Sequence, residues 1–160
     1  MKVKDRIGDL VRTEIVDLAY DGRSVGSLDG KIIFLDGGLP GETVTAEILK
    51  CRPRFSVGRI IEIVNPSPHR VKTSCIHYDA CGGCTWQDLE YNRQLYYKRK
   101  QISDCLSHIG KLHETDIGEV VGADDQFFYR NKMEFSFNVS PRGGFTLGLH
   151  QRGSYREIFD

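Results

Sequence analysis

The stretch Asp21-Gly22-Arg23-Ser24-Val25-Gly26-Ser27-Leu28-Asp29-Gly30-Lys31-Ile32-Ile33-Phe34-Leu35-Asp36-Gly37-Gly38 sets two apolar runs between three turn signals. Branched and aromatic side chains suit a pleated, half-buried surface, while Asp-Gly and Gly-Gly pairs let the chain reverse. The same grammar extends outward in both directions. Strands are expected around Val11–Leu18, Arg23–Leu28, Lys31–Leu35, Thr43–Lys50 and Ser56–Val64, with further turns at Pro40-Gly41 and Arg52-Pro53-Arg54. Five short strands at this spacing predict a small, closed or nearly closed barrel of the oligonucleotide-binding type. Asn65-Pro66-Ser67-Pro68 then reads as a linker, because two prolines cannot continue a sheet.

Beyond the linker the pattern changes. A helix is expected from about Gln87 to Ile109, with Thr85 as N-cap, Asp88 completing a capping box, and Gly110 as the stop. Leu95, Ile102, Leu106 and Ile109 mark its apolar stripe. Tyr129, Asn131, Met133, Phe135, Phe137 and Val139 then alternate with Arg130, Lys132, Glu134, Ser136 and Asn138, so one mostly apolar face should pack and one polar face stay wet. Pro141-Arg142-Gly143-Gly144 turns this strand into a second one carrying Phe145, Leu147 and Leu149, an antiparallel hairpin. The fold class is mainly β with one long helix: a barrel followed by the start of an α+β domain.

The chain has 160 residues, with 22 Lys plus Arg against 22 Asp plus Glu. Its 39% apolar and 28% charged residues exclude a disordered chain. No apolar run approaches the roughly 20 residues that span a bilayer, and Met1-Lys2-Val3-Lys4-Asp5-Arg6 is no secretory signal. No membrane partner, a cytoplasmic location and a monomer are expected. The zero net charge conceals segregation. Lys50, Arg52, Arg54, Arg59, Arg70 and Lys72 face only Glu62 in their segment, Arg93, Lys98, Arg99 and Lys100 form a second patch, and Arg130, Lys132, Arg142, Arg152 and Arg156 a third. Tyr96, Tyr97, Tyr129 and Tyr155 lie among them. Cations hold phosphates and aromatic rings stack on unpaired bases, so RNA is the expected partner.

Five cysteines without an export signal argue against a disulfide scaffold. Three of them crowd into Cys75-Ile-His-Tyr-Asp-Ala-Cys81-Gly-Gly-Cys84. Two thiolates three residues apart with glycines between can grip one metal centre from a tight turn, and thiolates suit zinc or an iron–sulfur cluster. A closed site needs four ligands. His77 is the nearby alternative donor, which would make a zinc Cys3His module. Cys105 reads as a structural helix cysteine and Cys51 as incidental.

The order of these parts resembles the N-terminal portion of the iron–sulfur RNA uracil-5-methyltransferases of the large-subunit ribosomal RNA type. The resemblance is carried by Asp21-Gly22-Arg23-Ser24-Val25-Gly26, Gly30-Lys31-Ile32-Ile33-Phe34 and Leu39-Pro40-Gly41-Glu42-Thr43-Val44 in a barrel like the TRAM module. Further matches are the cysteine spacing, Gln94-Leu95 with Lys98, and Phe128-Tyr129-Arg130-Asn131-Lys132-Met133-Glu134-Phe135. It implies a TRAM RNA-binding barrel over residues 1–66, a cysteine loop and helix over 67–112, and the start of a central RNA-binding β domain over 113–160. It also implies a [4Fe–4S] cluster on Cys75, Cys81 and Cys84, with the fourth ligand expected beyond Asp160. RNA would be held by Arg52, Arg54, Arg59, Arg130 and Lys132, and large-subunit rRNA is the implied target. S-adenosylmethionine and the catalytic groups belong to a domain that nothing here matches, so no catalytic residue is assigned and the chain alone is expected to be inactive.

Overall fold

The computed structural model describes residues 5–139, 143–154 and 156–159. Its first five strands are Leu10–Leu18 (β1), Ser24–Leu28 (β2), Lys31–Asp36 (β3), Thr43–Cys51 (β4) and Phe55–Asn65 (β5). They close into a barrel in the order β1-β2-β3-β5-β4. All pairs are antiparallel except β3 with β5. The five-stranded barrel read from the turn signals is the one observed, to within a residue or so at most strand ends.

Closure depends on β1 serving two neighbours. Leu10–Glu14 pair with β4, whereas Ile15–Leu18 pair with β2. The register slips between Ile15 and Asp17, a bulge that bends the strand and sharpens its twist. Ile15, Ile33, Leu35, Val44, Ala46 and Ile48 fill the interior, with Val11, Leu28, Cys51 and Ile60 packed around them. Gly38 adopts φ +75°, and a Cβ there would meet Ile15 Cδ1 at 2.4 Å and Ile60 Cδ1 at 2.6 Å. Only glycine fits that turn against the core.

The linker is pinned rather than loose. Glu42 is fully buried, and its carboxylate accepts from the Leu39 amide at 2.8 Å and the Ser67 amide at 3.1 Å. Arg70 clasps the same carboxylate through two bonds of 2.7 and 2.9 Å. A buried charge is tolerated only when its acceptors are met in this way. Ser67 also donates to the Pro40 carbonyl at 2.9 Å.

The chain through Val71 forms one compact unit with Leu89–Val120, and Lys72–Asp88 forms a second with the residues from Val121 onward. The helix therefore sits with the barrel. It runs over Tyr91–Asp104 (α1) and continues as a π-helical turn, Cys105–Ile109. Its N-cap is Glu90, without a side-chain cap bond, so the Thr85 capping box does not form. Asp88 instead meets the Tyr78 hydroxyl. The apolar stripe is also corrected: Ile109 is 80% exposed, and the buried helix residue is Tyr97. Polar contacts dock the helix. Lys100 lies 2.7 Å from Asp17, and Gln101 donates to the Leu18 and Ala19 carbonyls at 3.3 and 3.0 Å.

In the second unit Ser136–Val139 (β6), Phe145–His150 (β7) and Ile158–Phe159 (β8) form a small sheet in chain order. The hairpin is as expected, pairing Ser136 with Gly148 through Val139 with Phe145. The long strand from Tyr129 is not: pairing starts at Ser136, and alternation alone cannot hold a strand without a partner edge. The apolar face does not pack among the described residues, and Phe137 and Phe145 stand 76% and 84% exposed. Pro141, Arg142 and Tyr155 lie outside the described residues.

The four bonds on Glu42 hold its carboxyl below the ordinary value of 4.5, the Arg70 guanidinium and the two amides overcoming the cost of burial. That stabilisation is fully present above pH 4.5 and is lost as pH falls through the depressed value. Glu42→Gln should lower unfolding stability by about 3 kcal/mol at pH 7, read by urea denaturation, because Arg70 loses its counter-charge. The gap to wild type should narrow below pH 4.5. A difference under about 0.5 kcal/mol at pH 7, or a gap that widens in acid, would contradict this role.

Candidate nucleic-acid interface and cysteine loop

Five arginines and lysines are expected to face RNA, and they divide between the two units. Arg52 and Arg54 are exposed in the turn between β4 and β5, which the Arg52 amide closes on the Phe55 carbonyl at 2.8 Å. Neither has an ion pair among the described residues. Arg59, on β5, pairs with Glu47 at 2.8 Å. These three belong to the barrel unit. In the second unit Lys132 pairs with Glu134 at 2.6 Å on the surface, a contact water can readily replace. Arg130 donates to the Gly83 carbonyl at 3.2 Å, so it supports the cysteine loop.

The basic face of α1 is mostly occupied. Arg93 lies over the rings of Tyr96 and Tyr97 at 4.8 and 5.7 Å. Arg99 donates to the Ile117 carbonyl at 3.0 Å, and Lys100 bridges Asp17 and Asp104. Lys98 of that patch has no side-chain ion pair, hydrogen bond or ring contact among the described residues. Sequence shows charge but not which charges are already used by neighbours.

The cysteine loop is built on the far end of β7. The Gly82 amide donates to the His150 carbonyl at 3.1 Å, the Arg152 amide donates to the Ala80 carbonyl at 2.8 Å, and Cys81 bridges to Gln151. Tyr78 is buried beneath the loop. Its hydroxyl lies 2.6 Å from Asp88 Oδ1 and 2.8 Å from the Thr85 carbonyl. Burial, and then the Asp88 charge, push its pKa well above the usual tyrosine value, so it stays a donor. Arg152 stacks over the Tyr78 ring at 5.5 Å and donates to the Cys84 carbonyl at 2.7 Å.

Gln87 was not singled out in the sequence. Its side chain accepts from the Cys75 amide at 3.1 Å and donates to Cys84 Sγ at 3.7 Å. The Gly83 amide donates to Cys81 Sγ at 3.3 Å. Cys75 and Cys84 are exposed and Cys81 is half-buried. The donor set suits a thiolate-bound centre, and amide donors to sulfur are the supporting bonds such centres use. Among the described residues no three Cys, His, Asp or Glu side chains converge as a metal-holding group. Ligand convergence would accompany metal binding. Cys105 and Cys51 are half-buried, and the Cys51 thiol lies 3.3 Å from the Asp5 carbonyl. Among the described residues no helix is long and apolar enough to cross a membrane.

Residues 4–61 match the TRAM domain. The barrel is of that type. The TRAM barrel and most of the chain after it are also similar to curated proteins. An uncharacterised RNA methyltransferase of Halalkalibacterium halodurans is 35% identical over 150 residues, 94% of this chain and 32% of that protein. One from Nostoc is 33% identical over 151 residues, 94% of this chain and 33% of its own length. One from Listeria monocytogenes is 37% identical over 148 residues, covering 92% and 32%. The chain thus spans about a third of the length of the curated relatives it matches. Among solved structures, the Pyrococcus abyssi tRNA (uracil-54, C5)-methyltransferase in complex with S-adenosyl-L-homocysteine is 30% identical, with a TM-score of 0.41, over 59% of this chain and 21% of that one.

Proposed function

We propose that this chain is the RNA-recognition portion of an S-adenosylmethionine-dependent RNA (uracil-5-)-methyltransferase acting on large-subunit ribosomal RNA. The observation that carries the reading is the reach of the similarity. A TRAM barrel alone accounts for residues 4–61, but RNA methyltransferase relatives align over 92–94% of the chain, which takes in the cysteine loop and the hairpin. The uracil and ribosomal assignments rest on the resemblance of the cysteine spacing and of the Phe128–Phe135 segment. The protein acts in the cytoplasm as a monomer.

In this reading the barrel binds and orients RNA while methyl transfer takes place on other parts of the parent enzyme, with S-adenosylmethionine as methyl donor. Arg52 and Arg54 hold phosphates, which gives affinity but little base choice. Cys75, Cys81 and Cys84 hold three corners of a [4Fe–4S] cluster. Such a cluster supplies a rigid cross-link. Gln87, Arg130 and Arg152 order the loop around it.

Fluorescence anisotropy with a large-subunit rRNA fragment should show affinity falling with salt. Arg52→Ala combined with Arg54→Ala should reduce the slope of log affinity against log salt by about 1.4, roughly 0.7 for each single-strand phosphate that is no longer neutralised. RNA binding without a salt slope, or no binding, would refute the assignment. Anaerobic reconstitution with iron and sulfide should give a brown protein whose iron content falls when any one of Cys75, Cys81 or Cys84 becomes Ser. A colourless protein with one zinc per chain would instead identify a zinc-binding interaction module.

A further inference from the structure

The cysteine loop has two arms, and one side chain spans them. Cys75 opens the loop and Cys84 ends it, and Gln87 follows three residues later, half-buried. Gln87 Oε1 accepts from the Cys75 amide at 3.1 Å, and its Nε2 donates to Cys84 Sγ at 3.7 Å. Chemistry fixes which way this carboxamide points. A backbone N–H can only donate, so the oxygen must face Cys75, and the NH2 group is left for the sulfur. The side chain also stands on a firm base. Asp88, the next residue, is buried, and its Oδ1 lies 2.6 Å from the Tyr78 hydroxyl. That hydroxyl is itself buried and lies 2.8 Å from the Thr85 carbonyl, on the other side of Gln87 in the chain.

Other supports of the loop meet oxygen. Arg130 donates to the Gly83 carbonyl at 3.2 Å and Arg152 to the Cys84 carbonyl at 2.7 Å, so both shape backbone. Two donors reach sulfur instead. One is the Gly83 amide, 3.3 Å from Cys81 Sγ, and the other is Gln87. The first is backbone, but the second is a side chain and so is set by the sequence. A donor to a thiolate draws charge off the sulfur. On an iron–sulfur centre such a bond favours the reduced, more negative state, and hydrogen bonds to sulfur are among the factors that set its potential.

We propose that Gln87 is a positioning residue that sets the reduction equilibrium of the iron–sulfur centre held by the loop, donating to Cys84 Sγ while its oxygen pins the Cys75 arm. The inference rests on the iron–sulfur reading of the proposed function and adds what governs the electron affinity of that centre. Because the two bonds use different atoms of one carboxamide, they can be separated. Gln87→Glu keeps the length and the acceptor for the Cys75 amide, but it replaces the NH2 donor with a charged oxygen. Gln87→Met keeps the bulk and removes both bonds.

The test uses the full chain reconstituted anaerobically with iron and sulfide. It is read by iron content, thermal melting and a dye-mediated spectroscopic redox titration. Gln87→Glu should take up iron as wild type does and shift the equilibrium towards the oxidised state at least about tenfold, through the lost donor and the added charge. Gln87→Met should shift it the same way by about threefold, the size of one modest hydrogen bond. A residue that merely held the loop together would lower iron content and melting temperature without ordering the potentials in this way. Iron-loaded variants that titrate as wild type does would overturn the proposal. A folded Gln87→Glu protein without iron, loss of fold in both variants, or a loaded wild type with no reversible reduction would overturn it too. In all of these the cluster reading survives. If wild type takes up no iron, the cluster reading fails and this one with it.

Discussion

The bend in β1 is the constraint on which the barrel depends. A single strand must satisfy β4 with its first half and β2 with its second, and the bulge between Ile15 and Asp17 lets it do so. Closure removes the sheet edges that would otherwise invite pairing with other chains. It also sorts side chains strictly into an interior of Ile15, Ile33, Leu35, Val44, Ala46 and Ile48 and an outer face. The same closure leaves the β4–β5 turn to present Arg52 and Arg54.

A buried charge secures the segment after the barrel. Glu42 has no exposure, yet it accepts bonds from Leu39, Ser67 and Arg70. Those bonds tie the β3–β4 turn to the chain leaving β5. The bridge between Arg70 and Leu89 and the 2.9 Å contact of His69 with Glu90 then bring the start of α1 to the same place. The two prolines of Asn65-Pro66-Ser67-Pro68 stop the strand, and the polar bonds decide where the chain goes next.

The barrel was legible in the sequence because its signals are local. Asp-Gly, Gly-Gly and Pro-Gly pairs delimit strands without reference to the rest of the chain. The helix boundary was misread because Asp88 fits two rules: it is three residues after Thr85, as a capping box needs, but the buried Tyr78 hydroxyl claims it. The apolar stripe failed because α1 docks through Lys100 and Gln101, so its buried face is not its most apolar one. The Tyr129–Val139 alternation was genuine, but a strand needs a partner, and β7 supplies one only from Ser136. Of the site, the cysteine loop and the arginine turn were visible as composition. Gln87 was not, since a glutamine beside a cysteine cluster is recognisable only by its bonds in space.

The β4–β5 turn, with Arg52 and Arg54, is where the proposed RNA contact lies. The most direct measurement is ultraviolet cross-linking of the full chain to a single-stranded oligouridine, with the linked peptides identified by mass spectrometry. Cross-links are expected on barrel residues at that turn, lost when excess unlabelled single strand competes. Cross-links confined to the second unit or to α1, with none at the β4–β5 turn, would contradict it.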